Sequence, residues 1–332
     1  MLLQSFGADM RRREFIAFLS GAAAAWPLTV CAQEAGRIYR LGALNPGPKG
    51  GPANAAFFDE LRVFGFVEGQ NLKVDGSGFG LRDEQLPEIV AAMAKSPPDV
   101  IFCAAGAYMR AALAAIRAVP IVGLAHDMVA TGVVKSLARP GGNITGISLL
   151  SPELDGKRQD ILIEAVPGAR RMAMLAEANA TAPQQLKALQ DAVGARGIEI
   201  AIFTIRTPED IAPAMNEIKA SGAAAINVLS SVLLFASRRL IIERAAALRL
   251  PAIHEWPEMA EEGGLIGYGA RLTGIFRQAA RIVVKVLRGV KPADIPIEQP
   301  TTFELVINLK TAQAIGHEIP AGLLLRADKI IE

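Results

Sequence analysis

From residue 38 onward the chain alternates two hydrophobic patterns. Short runs of consecutive apolar and β-branched residues predict buried strands, and longer stretches with apolar residues three and four apart predict helices. In the first half the strands fall at 38–44, 71–75, 99–105, 120–125 and 144–149, with helices at 53–64, 83–95 and 107–118. Ala56, Phe57, Leu61 and Phe64 share one face of the first helix. Asn45-Pro46-Gly47 and Arg139-Pro140-Gly141-Gly142-Asn143 act as breaks. The second half repeats the rhythm, with helices at 153–165, 182–195, 208–220 and 233–248, and strands at 172–176, 199–205, 223–229, 251–254 and 265–269. An amphipathic helix at 273–287, a strand at 303–307 and a helix at 309–315 close the series.

Strands that alternate with helices in this way build parallel sheets covered on both faces. About 300 residues exceed the usual size of one core, so an α/β protein of two Rossmann-like lobes is predicted. Each lobe then carries its functional loops at the carboxyl ends of its strands, facing a common cleft.

The stretch 10–33 breaks the rhythm. Arg11, Arg12 and Arg13 precede an apolar run from Phe15 to Leu28, and Val30-Cys31-Ala32 offers a small-residue cleavage site. A basic head, a short apolar middle and a small-residue end make an export signal, and the run is too short for a bilayer helix of roughly 20 residues. Arg12-Arg13-Glu14-Phe15-Ile16 resembles the twin-arginine consensus. Residues 1–32 are therefore read as a leader cleaved near Ala32, sending the protein to the periplasm. Lipidation at Cys31 is the alternative, and either Met1 or Met10 serves as the start.

Composition narrows the chemistry. The formal net charge of +2 gives no electrostatic footprint for nucleic acid. Once the leader is removed, Cys103 is the sole cysteine, so no internal disulfide forms, and its apolar strand suits a small buried hydrophobe. Gly76-Ser77-Gly78-Phe79-Gly80 lacks the third glycine of a dinucleotide loop, where Leu81 stands. Gly47-Pro48-Lys49-Gly50-Gly51 lacks the Gly-Lys-Ser/Thr of a phosphate loop, and there is no Gly-x-Ser-x-Gly elbow. His126, His254 and His317 have no metal-ligand spacing, and His317 reads as a surface residue. The residues nominate no catalyst, cofactor or metal.

Polar and aromatic residues gather instead where strands end. Asn45 follows the first strand; Gly106, Ala107 and Tyr108 follow the third, where a helix N-terminus offers free N–H groups to an anion. His126 and Asp127 follow the fourth. The second half adds Asn179, Ser230, Ser231, Glu255, Trp256 and Tyr268. Ser230, Ser231 and Asn179 suit helix caps as well as ligand contacts, and Trp256 and Tyr268 suit a core as well as a pocket wall.

With these residues in view, several stretches resemble the substrate-binding proteins of ABC importers, in the family that includes tryptophan-binding members. They are Phe66-Val67-Glu68-Gly69-Gln70-Asn71, Arg139 to Gly146, Ser237-Arg238-Arg239, Gly289 to Pro292, and the tail from Pro300 to Ala312. The resemblance implies a type I periplasmic-binding fold with three crossovers and a hinge between the lobes. It places the N-terminal lobe at 37–149 and 268–300 and the C-terminal lobe at 150–267 and 301–332. It also implies a monomer that captures a small solute and docks on an ABC permease in the inner membrane. Relatives often carry an aromatic run where this chain has Gly76-Ser77-Gly78, and an Asp-Pro pair where it has Asp127-Met128, so tryptophan is not carried over as the ligand. The expected ligand is an amino acid or small aromatic carboxylate. Gly106 and Ala107 would take the carboxylate, Asp127 or Glu255 the ammonium, and Trp256 or Tyr268 would flank the apolar part. A ligand-sensing receptor and a periplasmic enzyme are the other readings.

Overall fold

The structure, a computed structural model, describes residues 36–332 apart from Asn179. The leader at 1–32, with the Cys31 and Met10 alternatives, lies outside the described residues.

The first half folds as β1 (Tyr39–Leu44), α1 (Pro52–Val63), β2 (Leu72–Val74), α2 (Leu86–Lys95), β3 (Val100–Cys103), α3 (Gly106–Ala115), β4 (Ile121–Ala125) and β5 (Ile144–Ser148). The strands pair in parallel in the order β2-β1-β3-β4-β5. Their apolar runs are continuous because helices cover both faces of a parallel sheet. Cys103 is buried in that core, where loss of hydration pushes its thiol up, so it serves as a small hydrophobe.

The second half contributes α4 (Ser151–Ala165), β6 (Arg171–Glu177), α5 (Pro183–Gly194), β7 (Glu199–Ile205), α6 (Ile211–Ala220), β8 (Ile226–Val228), α7 (Val232–Ala236), α8 (Arg238–Ala247), β9 (Ala252–His254), α9 (Pro257–Glu261) and β10 (Ile266–Gly269). These five strands stand in the order β7-β6-β8-β9-β10, the same order as in the first sheet. The helix expected over 233–248 is broken at Ser237 into α7 and α8.

The chain then returns to the first sheet as α10 (Leu272–Leu287), and goes back to the second as β11 (Glu304–Asn308), α11 (Leu309–Ile315), α12 (Ala321–Leu324) and β12 (Lys329–Ile331). β11 enters from the first lobe and pairs antiparallel to β10, so the second sheet is mixed rather than wholly parallel. Tyr268 and Gly269 pair within this second sheet, and the helix that packs on the first lobe starts at Leu272. Three connections thus join the lobes, between β5 and α4, between β10 and α10, and between the bridge at Glu298 and β11. α9, α12 and β12 are too short for periodicity to register them.

α10 completes the first lobe. Its apolar face buries Ile275, Phe276, Ala279, Ala280 and Val283 against α1 and the sheet. Phe57 of α1 stacks on Phe102 of β3 at 4.5 Å, and Phe276 meets Phe102 edge-on at 5.5 Å. Arg281 and Glu60 pair across the rim at 2.8 Å. The first crossing carries a local cost. Leu150 has a left-handed φ of 57°, an energy of about 1–2 kcal/mol for a residue with a Cβ, and it directs α4 onto the second sheet. No helix among the described residues is long and apolar enough to cross a membrane.

Phe57 is fully buried between α10 and the first sheet. Phe57→Ala should cost about 3–5 kcal/mol in urea unfolding. A loss below about 1 kcal/mol would show that α10 does not close the lobe through this contact.

Candidate functional site

In each sheet the chain order reverses once, between β1 and β3 in the first and between β6 and β8 in the second. Loops leaving neighbouring strands diverge at such a point and leave a crevice at the carboxyl edge. The loops after β1 and β3 carry Asn45 and Gly106; those after β6 and β8 carry Asn179 and Ser230. Asn179 lies outside the described residues.

Several of these side chains are committed locally. Asn45 is buried; its Nδ2 donates to Asn54 Oδ1 at 2.7 Å and its Oδ1 accepts from the Gly47 N–H at 2.7 Å. It holds the glycine-rich loop in shape. Tyr108 is buried in the core and its hydroxyl donates to the Leu81 carbonyl at 2.7 Å. Asp127 Oδ1 accepts from the Val129 and Ala130 N–H groups, both at 2.9 Å, so that carboxylate caps its own turn. Ser231 caps α7, its Oγ accepting from the Leu234 N–H at 2.9 Å. Trp256 is 6% exposed and packs edge-on to Phe235 at 6.3 Å, within the cluster that α10 and the first sheet build. His317 is half-buried and bonds the Ala165 carbonyl at 2.9 Å, which corrects its reading as a surface residue.

Other groups remain aimed at the strand ends. α3 starts at Gly106 with no side chain capping it, so Gly106 and Ala107 present first-turn N–H groups without intrahelical acceptors. His126, just past β4, has its Nδ1 at 2.8 Å from Ser151 Oγ and 3.6 Å from Glu255 Oε1. Ser151 opens α4, and Glu255 follows β9. The carboxyl edges of the two sheets therefore meet at these side chains.

Glu255 owes its position to glycines in the adjacent strand. A Cβ on Gly269 would lie 2.2 Å from the Glu255 carbonyl oxygen, and one on Gly267 would lie 2.5 Å from that of Trp256. Only bare backbone lets the 255–257 segment rest on β10. Burial pushes the Glu255 carboxyl up, opposed by the nearby His126 and then Arg158. Tyr268 is half-buried beside Phe303, ring centres 6.4 Å apart, and burial raises its phenol.

Beneath this edge lies a polar network that the residue pattern did not reveal. Asp155, Arg158 and Gln159 of α4 are all buried. Arg158 Nη2 donates to Asp155 Oδ1 and to Ser230 Oγ, both at 2.6 Å, and Nη1 donates to the Tyr268 carbonyl at 3.1 Å. Asn227 of β8 donates to the Asp155 carbonyl and to Gln159 Oε1, each at 3.2 Å. A signal was present: residues 155 and 158 fall on the helix face shared by Leu162 and Ala165, where charge is out of place. Phe58 and Phe79, half-buried with ring centres 5.9 Å apart, form a second missed feature beside the first-lobe loops.

Comparison with known proteins agrees with this architecture. Solved structures from Vibrio cholerae, a conserved domain protein, and from Streptococcus pneumonia, an ABC domain in complex with L-Trp, superpose with TM-scores of 0.79 and 0.77. They are 24% and 22% identical, cover 89% of this chain, and are themselves covered over 99% and 100%. They define the fold as that of two-lobed periplasmic binding proteins. A tyrosine-binding protein of Clostridioides difficile is 25% identical over 277 residues, 80% of this chain and 77% of its own length. Residues 53–331 match the ABC transporter substrate binding protein family, and the chain belongs to that family.

His254, next to Glu255, plays a different part. Its ring is fully buried against Gly264, and neither nitrogen has a partner. Burial lowers its pKa from 6.5 to about 4. The unfolded chain binds a proton at His254 below pH 6.5 that the native state refuses until about 4, so this group's share of stability is complete above 6.5 and lost as the pH falls through that window. His254→Leu should remove about 2–3 kcal/mol of the stability difference between pH 7 and pH 4.5 in urea unfolding. Parallel acid limbs in the two proteins would contradict a neutral buried imidazole.

Proposed function

We propose that this protein is the exported substrate-binding component of an ABC importer. It binds a small solute between its lobes and passes it unaltered to a membrane permease. The observation that carries this reading is the meeting of His126, Ser151 and Glu255, which brings side chains from the strand ends of both lobes within 3.6 Å. A solute held there contacts both halves and so favours the closed arrangement over the open one. The twin-arginine-like leader at 1–32 supports a periplasmic location, and family membership supports the permease as partner.

The ligand class follows from the groups at the facing strand ends. The Gly106 and Ala107 N–H groups at the start of α3 suit a carboxylate. Glu255 suits an ammonium, and it is the better choice than Asp127, whose Oδ1 is engaged by two backbone N–H groups. Tyr268 and Phe79, both half-buried, supply aromatic faces for an apolar side chain. An amino acid or a small aromatic carboxylate fits this set, in keeping with the tyrosine and L-Trp named for the relatives.

A thermal-shift panel of amino acids and aromatic carboxylates tests the reading. A ligand at a hundredfold excess over its dissociation constant should stabilise the protein by about 2.7 kcal/mol, a rise of roughly 4 °C for a chain of this size. Glu255→Gln should weaken the same ligand about tenfold or more, measured by titration calorimetry. Conversion of a bound compound, or no member binding in the millimolar range, would overturn it.

A further inference from the structure

Arg158 is a guanidinium with no access to water: its side chain is 0% exposed. It reaches two strand ends at once, Ser230 just beyond β8 and the Tyr268 carbonyl in β10. β9 lies between those two strands, and Glu255 is the residue that follows β9. The two bonds therefore straddle the strand end that carries Glu255. Asp155 completes the arrangement, with Oδ1 also 3.2 Å from Ser230 Oγ. Arg158 Nε is buried with no partner.

A fold needing only a packed helix would do better without this pair. Burying two charges costs several kcal/mol of hydration, and apolar residues of the same volume are often as stable or more so. Leu162 and Ala165, on the same helix face, show that the surroundings accept apolar side chains. We infer that Arg158 is a positioning residue for the ligand site: it fixes the end of β9 by tying Ser230 to Tyr268, and it sets a permanent positive charge near the Glu255 carboxyl that receives a cationic group. The role given to Glu255 rests on the function proposed above.

The groups facing Glu255 are His126 from the end of β4, Arg158 and Asp155 from α4, and Ser230 from the end of β8. Burial favours the neutral carboxyl, His126 and Arg158 favour the charged form, and Asp155 works with burial. His126 is 30% exposed, whereas Arg158 is a guanidinium, always charged and sealed from water. Arg158 is thus the permanent positive charge in the set.

Carbon-13 NMR of the full chain labelled at the glutamate carboxyls tests this, with the Glu255 resonance assigned by its loss in Glu255→Gln. Arg158→Gln should raise the Glu255 midpoint by about one pH unit or more relative to wild type, and Asp155→Asn should lower it. A merely structural role predicts another pattern: loosening either residue admits water and moves both midpoints down toward an ordinary carboxylate. The inference is overturned by an Arg158→Gln midpoint that stays or falls relative to wild type. Where Arg158→Gln does not fold, a midpoint that fails to drop in Asp155→Asn overturns the inference. The titration needs no ligand, so an empty binding panel sinks the transport reading without touching this result.

Discussion

Charge kept out of water at the meeting edge of two sheets is the constraint on which the rest of this structure depends. Asp155, Arg158 and Glu255 are buried together at the carboxyl ends of β8, β9 and β10. Each must be paired or hydrogen-bonded, because an isolated buried ion costs more than any single packing contact returns. Ser230, Tyr268 and the backbone around them are held by that demand. Gly267 and Gly269 serve it as well, by letting the segment from Glu255 to Pro257 lie directly on β10.

The second sheet is then matched to the first by repetition of one topology. Both use the same strand order and both open a crevice where that order reverses. Three crossings keep the crevices facing, and α10 ties the halves together by leaving the second sheet to fill the core of the first. The left-handed turn at Leu150 sits at the first of these crossings, two residues past β5. Strain of this kind persists only where its surroundings fix it, and here it sets the entry of the helix that carries Asp155 and Arg158.

Much of the fold was legible because consecutive apolar residues mark strands buried on both faces; Glu199–Ile205 and Leu309–Ile315 were readable to the residue. The antiparallel β11 was not, since direction depends on which lobe the chain comes from and no local pattern records that. The candidate site was legible at the level of strand ends. How each side chain is spent was not. Asp127 and Glu255 look alike as acids after strands, yet one caps its own turn and the other is buried against the opposite lobe. Arg158 escaped notice because a charged residue in a helix usually marks the solvated face, and only its register with Leu162 and Ala165 argued otherwise.

The most direct measurement is a crystal structure of the protein with a compound that stabilises it. Density for one solute between the α3 N-terminus and Glu255, touching residues of both lobes, is the expected result. A solute seated on one lobe alone, or away from the facing strand ends, would contradict capture between the sheets.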